Sequence, residues 1–321
     1  MLVTVWGALS IIFLLFVIIP GDSVTSKSRE RSASASIEAN IRHEYGLDRS
    51  SLAQYGNFWS GLLRADLGVS VQSGKSVNRM LGETATTSAR LAFWGGLVQV
   101  VGSLVLGVMS AYRRRSLFDR TATAITIAVY AMPVFVTGLV LQVVFGVLPN
   151  RSSSSLIRAF NLNVFQPTRW ALGVLPVDNW KGWVLPSLTV GIVNMALLAR
   201  LLRSSLLDVF RADYLRTATS KGLSPIRIVV KHALPNAIVA WLAASSFALV
   251  EIFGIAVETE FIFGINGIGS QIAQSAKLQD VAPVLGLTSV VVLAAAFASL
   301  SVDIVHGLLD PRIRADDRDR R

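Results

Sequence analysis

Six stretches of this chain are long and apolar enough to require a membrane: Leu2 to Pro20, Ser88 to Tyr112, Thr121 to Leu148, Trp183 to Leu207, Ala237 to Val257 and Val281 to Leu309. A hydrocarbon core about 30 Å thick is crossed by about 20 residues of helix. Inside it every backbone N–H and C=O has to be satisfied within the segment, which leaves helix as the form such runs can take. A chain that is 52% hydrophobic and only 16% charged, with mean hydropathy +0.56, does not have the composition of an ordinary soluble domain. The expectation is an all-α polytopic protein with six transmembrane helices.

The runs divide the chain into a first helix at 1–20, an extracytoplasmic segment at 21–87 and a core at 88–309. A second external segment spans 149–182, a polar loop lies at 208–236, and a tail covers 310–321. The first run lacks a basic leader and a small-residue cleavage site, so it reads as an uncleaved helix. Arginines set the orientation. The 112–120 connection carries Arg113, Arg114, Arg115 and Arg120 against Asp119 alone, and the 208–236 loop and the tail are also basic. With six spans these fall on one face, which the positive-inside rule makes cytoplasmic, with both termini inside. The net charge of +10 is read as this topology signal and not as a nucleic-acid surface.

The catalytic and cofactor patterns in the sequence are incomplete. Ser73-Gly74-Lys75-Ser76 resembles the end of a phosphate loop, but Val69 stands where the first glycine is needed. Gly264, Gly267 and Gly269 lack the third glycine of a dinucleotide fingerprint, since Ile272 occupies its place. There is no cysteine, and the three histidines, His43, His232 and His306, are scattered. No enzyme activity, metal or cofactor of the chain's own is expected. A charge at membrane depth is costly and marks function or pairing. On that ground Glu251, in the middle of the fifth run, is a candidate for lining a translocation path. Pro133 and Glu260 join it more weakly, Glu260 with the simpler reading of a solvated position at the outer end.

The interruption from Asp208 to Asn236 is too long and too ordered for a connector. Both halves read as helix. Gly222 is placed to end one helix, Ser224-Pro225 to begin the next, and Pro235 to mark the turn into the fifth span. Ala218 and Gly222, four apart, are read as one helical face that a partner can approach closely.

The order of residues here is similar to the EAA signature of binding-protein-dependent ABC importer permeases, with Gly222, eleven residues, then Leu234-Pro235. The peptide branch is closer still. Arg203-Ser204-Ser205, Asp213-Tyr214-Leu215-Arg216-Thr217-Ala218 and Lys221-Gly222-Leu223-Ser224 resemble its RSS…DYxRTAxxKGLS run. Arg216 stands where the general motif has Glu, and His232 replaces its Ile. Elsewhere Gly46-Leu47-Asp48, Asp66-Leu67-Gly68, Met132-Pro133-Val134-Phe135 with Gly138, Leu185-Pro186-Ser187, Glu260-Phe261-Ile262-Phe263 with Gly267-Ile268-Gly269, and Asp310-Pro311-Arg312 resemble successive family segments. Asn266 sits at a usual proline.

The resemblance implies a type I ABC importer permease of the inner membrane, with no ATPase of its own. It implies partners: a homologous second permease, two cytoplasmic ATPase subunits carrying ATP and Mg, an extracytoplasmic solute-binding protein, a peptide cargo and membrane lipid. Asp213, Tyr214, Arg216, Thr217, Ala218, Lys221, Gly222, Leu223, Leu234 and Pro235 are the positions it implies for ATPase coupling. Nickel-chelate, glutathione or sugar cargo stays open, as does a secondary carrier, for which inverted repeats and further midplane charges are needed.

Overall fold

The computed structural model describes residues 2–18, 43, 48–151 and 180–309. The Asp310-Pro311-Arg312 motif, Gly46-Leu47 and most of the 149–182 segment lie outside them. The regular secondary structure among the described residues is helical, apart from one isolated bridge between Val69 and Ser76. In chain order they form α1 (Leu2–Ile18), α2 (Ser51–Leu63), α3 (Val77–Tyr112), α4 (Leu117–Ala131), α5 (Val134–Gln142) and α6 (Leu148–Arg151). Then come α7 (Trp180–Val209), α8 (Asp213–Ser220), α9 (Pro225–Ile228), α10 (Leu234–Phe263), α11 (Ile268–Lys277) and α12 (Val281–Leu309). Four helices are long and apolar enough to cross a membrane: Val77–Tyr112, Gly182–Val209, Pro225–Phe263 and Val281–Val302. A bent pair, Leu117–Ala131 with Val134–Val147, makes a fifth when taken as one span, and the apolar part of α1, Val3–Phe16, is shorter.

Three prolines depart from what their positions in the sequence suggest. Pro133, expected inside the third span, breaks it. A residue before proline is pushed out of the helical region, Met132 is extended at ψ 138°, and α4 and α5 meet at 117°. Pro149, at the start of the second external segment, and Pro235, expected to mark the turn into the fifth span, both lie inside helices. Each follows a single π turn, Val143–Val147 or Val229–Ala233, and a leucine. In both turns the leucine N–H reaches back five residues, Leu148 to Val143 O and Leu234 to Val229 O. Proline removes an N–H and its ring crowds the carbonyl four residues back; the widened turn shifts that carbonyl, so the helix from Pro225 runs unbroken to Phe263. Pro235 therefore marks no turn.

The chain divides into two compact units. The first comprises the chain to Ala89 with Gly264–Phe297. Its α1 and α2 meet through Ser10 Oγ and Tyr55 Oη, 2.7 Å apart, and through Phe13 packed edge-to-face on Tyr55 and tilted against Phe58. Val77, Ile268 and Leu287 form a small buried core. The loop before α3 is held by polar side chains. Asp66 accepts from Gly68 N–H, Asn78 accepts from Leu67 N–H and donates to Ala65 O, and Gly68 takes φ +87°. Asp280, only 2% exposed, accepts from Ser70 Oγ at 2.5 Å and from the amides of Val71 and Gln72. The Ser73–Ser76 stretch is a reverse turn whose amides bond within the loop, to Ser70 Oγ and Ser70 O. Lys75 faces Glu83 at 3.6 Å. α3 starts well before the apolar run at Ser88, its polar first turns carrying an i,i+4 pair between Arg79 and Glu83.

The second unit runs from Arg90 to Phe263, with residues 298 onward. Its axis is α7, which buries Leu198, Leu202 and Leu206 completely, one every helical turn. They pack with Ala111, Leu215, Ala233, Ala237, Trp241 and Ala248. Where hydrocarbon surrounds the helices, close packing and internal hydrogen bonds hold them together. Both are present. A Cβ on Gly107 of α3 would lie 2.8 Å from Ala199 O, and one on Gly191 of α7 would lie 2.5 Å from Gly95 O. Trp241 Nε1 donates to Ser103 Oγ at 3.1 Å, Asn194 Nδ2 to Ala248 O and Gln142 Nε2 to Ile262 O.

Candidate functional site

The segment between α7 and α10 folds as a helix, a reversal and a second helix, seated on the core just described. α8 is short and two-faced. Leu215 and Ala218, three apart, are buried, while Asp213, Tyr214, Arg216 and Thr217 are exposed. Its end is a Schellman motif: Gly222 N–H bonds to Thr219 O, Leu223 N–H reaches Ala218 O, and Gly222 sits at φ +73°. Lys221 is the C-cap. Ser224 and Pro225 then open α9 with proline at its first turn, as the spacing predicts.

One geometric expectation is corrected. Ala218 faces the chain's own interior, and Gly222 has left the helix, so the two do not share an outer face. A Cβ on Gly222 meets nothing within 4 Å. Glycine is required here by the left-handed backbone, where a side chain costs about 1–2 kcal/mol, and not by a close approach.

The two halves are fastened by side chains. Tyr214 Oη donates to His232 O at 3.3 Å and accepts from Asn236 Nδ2 at 3.0 Å, and Asn236 also donates to His232 O. Leu234 packs against the core cluster, whereas Pro235 is exposed. Leu223 is half-buried. The outer surface of the segment is thus Asp213, Tyr214, Arg216, Thr217, Lys221 and Gly222, with Leu215, Ala218 and Ala233 anchoring it beneath. Among the ten expected positions only Ala218 is buried, Leu223 and Leu234 are half-buried, and the other seven are exposed.

Pattern reading passed over the function of a buried acid that fastens α7, the helix leading into this module. Asp119, 3% exposed, accepts from Arg203 Nε at 2.6 Å and Nη2 at 2.8 Å. It also takes the Arg115 amide, while its own amide donates to Ser116 Oγ. The acid thus joins the α3–α4 connection to α7 near the end of that helix, at Arg203, with α7 ending at Val209. Arg200, on the same helix, lies over the Tyr130 ring at 5.0 Å. The only sequence signal was that Asp119 stood as one acid among four arginines.

The three path candidates are spread out. Glu251 is exposed on α10 between apolar turns, with no ion pair among the described residues. Pro133 is exposed at the α4–α5 break. Glu260 is completely buried with Thr259, which overturns its reading as a solvated end residue. Two positions along α10, about half a helical turn, put it on the opposite face from the exposed Glu258. Gly138 packs within reach of Thr189 and Ile262, which places the 132–138 motif against α7 and α10.

The family model described as "Binding-protein-dependent transport system inner membrane component" matches residues 103–315. The chain is 31% identical to the di/tripeptide transport system permease protein DppB of Pseudomonas aeruginosa, over 97% of this chain and 95% of that protein. It is 31% identical to the dipeptide transport system permease protein DppB of Bacillus subtilis, over 98% and 95%. To the probable D,D-dipeptide transport system permease protein DdpB of Escherichia coli it is 30% identical, over 98% and 94%.

Proposed function

This chain belongs to the family of binding-protein-dependent transport system inner membrane components, and on that premise we propose that it forms half of a peptide-conducting pathway driven by separate ATPases. The observation that carries the coupling role is the module from Asp213 to Asn236. It presents a fixed polar surface, and Leu215, Ala218 and Ala233 root it in the same core as α3, α7 and α10. A load applied to α8 is therefore delivered to long apolar helices and not absorbed in a loose loop. Docking of a cytoplasmic ATPase subunit on Asp213, Tyr214, Arg216, Thr217, Lys221 and Gly222 would turn its closure into movement of those helices.

The topology in this reading has six crossings and both termini in the cytoplasm. α1 and the bent α4–α5 pair supply the two crossings beyond the four long helices. A second, homologous permease completes the pathway, a solute-binding protein delivers cargo outside, and ATP and Mg reside on the ATPases. Cargo is a dipeptide or short peptide, the chemistry in the names of full-length relatives. Glu251, with Pro133 and Glu260, is assigned to the path.

The experiment is co-purification from solubilised membranes followed by uptake in reconstituted vesicles. ATPase subunits are expected to accompany the chain, and labelled dipeptide is expected to accumulate with ATP. Recovery without an ATPase subunit would sink the coupling role. Uptake of a nickel chelate, glutathione or sugar in place of dipeptide would remove the cargo assignment alone.

A further inference from the structure

Among the described residues the second unit buries three carboxamides, Gln99, Gln142 and Asn194. Two of them fasten helices, Gln142 Nε2 donating to Ile262 O and Asn194 Nδ2 to Ala248 O. Gln99 does not. It lies in the middle of the apolar run of α3 and is completely buried, yet neither its Nε2 nor its Oε1 has a hydrogen-bond partner among the described residues. Within a span no bulk water stands in for a missing partner, so both groups carry the cost of desolvation uncompensated.

The packing around Gln99 shows what surrounds it. On α3, Gly95 lies against Val190 of α7, Gly102 against Met195 and Gly107 against Ala199 and Leu202. Gln99, four positions after Gly95 and three before Gly102, is on the same face of α3. It therefore enters the seam between Val190 and Met195. The polar side chain that α7 carries at that level is Asn194, three positions after Gly191, itself packed on Gly95 O. With its Nδ2 taken by Ala248 O, Asn194 has its side-chain oxygen left to accept a bond. A bridging water needs room and about three polar partners, and the contacts on both sides of Gln99 are too tight for a methyl group.

We propose that α3 and α7 form a two-position joint. The arrangement described here leaves Gln99 unpaired. A shift of α3 against α7 by about 1–2 Å, the scale of helix movements in switching proteins, brings Gln99 Nε2 to the side-chain oxygen of Asn194. The unpaired amide raises the energy of the first position and the new bond lowers that of the second. The two positions then lie close enough for a modest load to choose between them. The joint rests on the packing of the second unit alone; its use in transport rests on the reading above.

Thermal midpoints of the full-length chain in mild detergent give the first test. Gln99→Met keeps the side-chain length and removes the amide, and is expected to raise the midpoint by about 2–4 °C. Gln142→Met, which removes a bond that is made, should lower it. A lowered midpoint with both Gln99→Met and Gln99→Leu would mean that Gln99 is bonded in this arrangement, to protein or to a trapped water, and overturns the proposal. The second test reads the shift itself. The chain has no cysteine, so spin labels on Val101→Cys and Ser204→Cys, both exposed positions, report where α3 stands along α7. Two distances are expected in lipid vesicles with Gln99 present and one with Gln99→Met; a single distance in both overturns the joint. With its partner subunits, the Gln99→Met chain is expected to take up dipeptide about fivefold more slowly, the value of one hydrogen bond, and unchanged uptake removes the joint from the transport cycle. Midpoints and distances are read without ATPase recovery or uptake, so failure of the joint is separate from failure of the transport reading.

Discussion

Asp119 and Arg203, 84 positions apart, form a two-pronged ion pair in which the carboxylate is nearly buried and the guanidinium about a quarter exposed. Removing one member of such a pair leaves the other desolvated and uncompensated. Asp119 keeps two oxygens in an interior site and retains only the Arg115 amide. Arg203→Ala is therefore expected to destabilise the second unit by about 3–5 kcal/mol, read as a lowered thermal midpoint in detergent. Arg203→Lys keeps the charge but loses the fork, and should fall between. An unchanged midpoint for Arg203→Ala would show that the pair does not hold α7 to the α3–α4 connection.

Gly222 ends α8 at positive φ with open space around it. Gly222→Ala is expected to cost about 1–2 kcal/mol through backbone strain alone, and Gly222→Asn less, because Asn tolerates that region. Amide hydrogen exchange across residues 213–223 checks the order. If Ala and Asn behave alike, a steric contact and not the dihedral governs this position.

At Gly107 the constraint is the opposite one. A methyl group there meets Ala199 O at 2.8 Å and Leu202 Cβ at 3.0 Å. Gly107→Ala should push α3 from α7 and cost about 1–3 kcal/mol as overpacking. Gly82→Ala, where a Cβ meets nothing within 4 Å, is the control on the same helix. Equal melting of the two variants would refute the close approach.

Asp280 holds three donors of the 70–72 loop within the first unit. Asp280→Ala strips these groups of their acceptor, with an expected cost of about 1–3 kcal/mol for each donor left buried. The loss should be local, seen as faster exchange of residues 66–76 with exchange in α7 unchanged. Protection that stays intact would move the anchor elsewhere.

Much of this molecule is legible from local order along the chain, because helix period, span length and capping depend on neighbours a few positions away. The apolar runs became helices, Gly222 closed α8, and Pro225 opened α9 where the spacing indicated. Prolines escaped this logic. Pro133, Pro149 and Pro235 carry the same chemistry, yet one breaks a helix and two are absorbed by π turns, since the outcome rests on whether the turn before can widen against its packing.

Tertiary structure alone decided the rest. Asp119 with Arg203, Asp280 with Ser70 and Trp241 with Ser103 join residues 84 to 210 positions apart, and no local pattern pairs them. Burial is likewise a property of packing. Glu258 and Glu260 differ by two positions, but the turn of α10 leaves one exposed and encloses the other. The surface of the α8–α9 module follows from the same cause. Its motif could be read in order along the chain, but which of its residues face outward was settled when Leu215 and Ala218 turned toward the shared core.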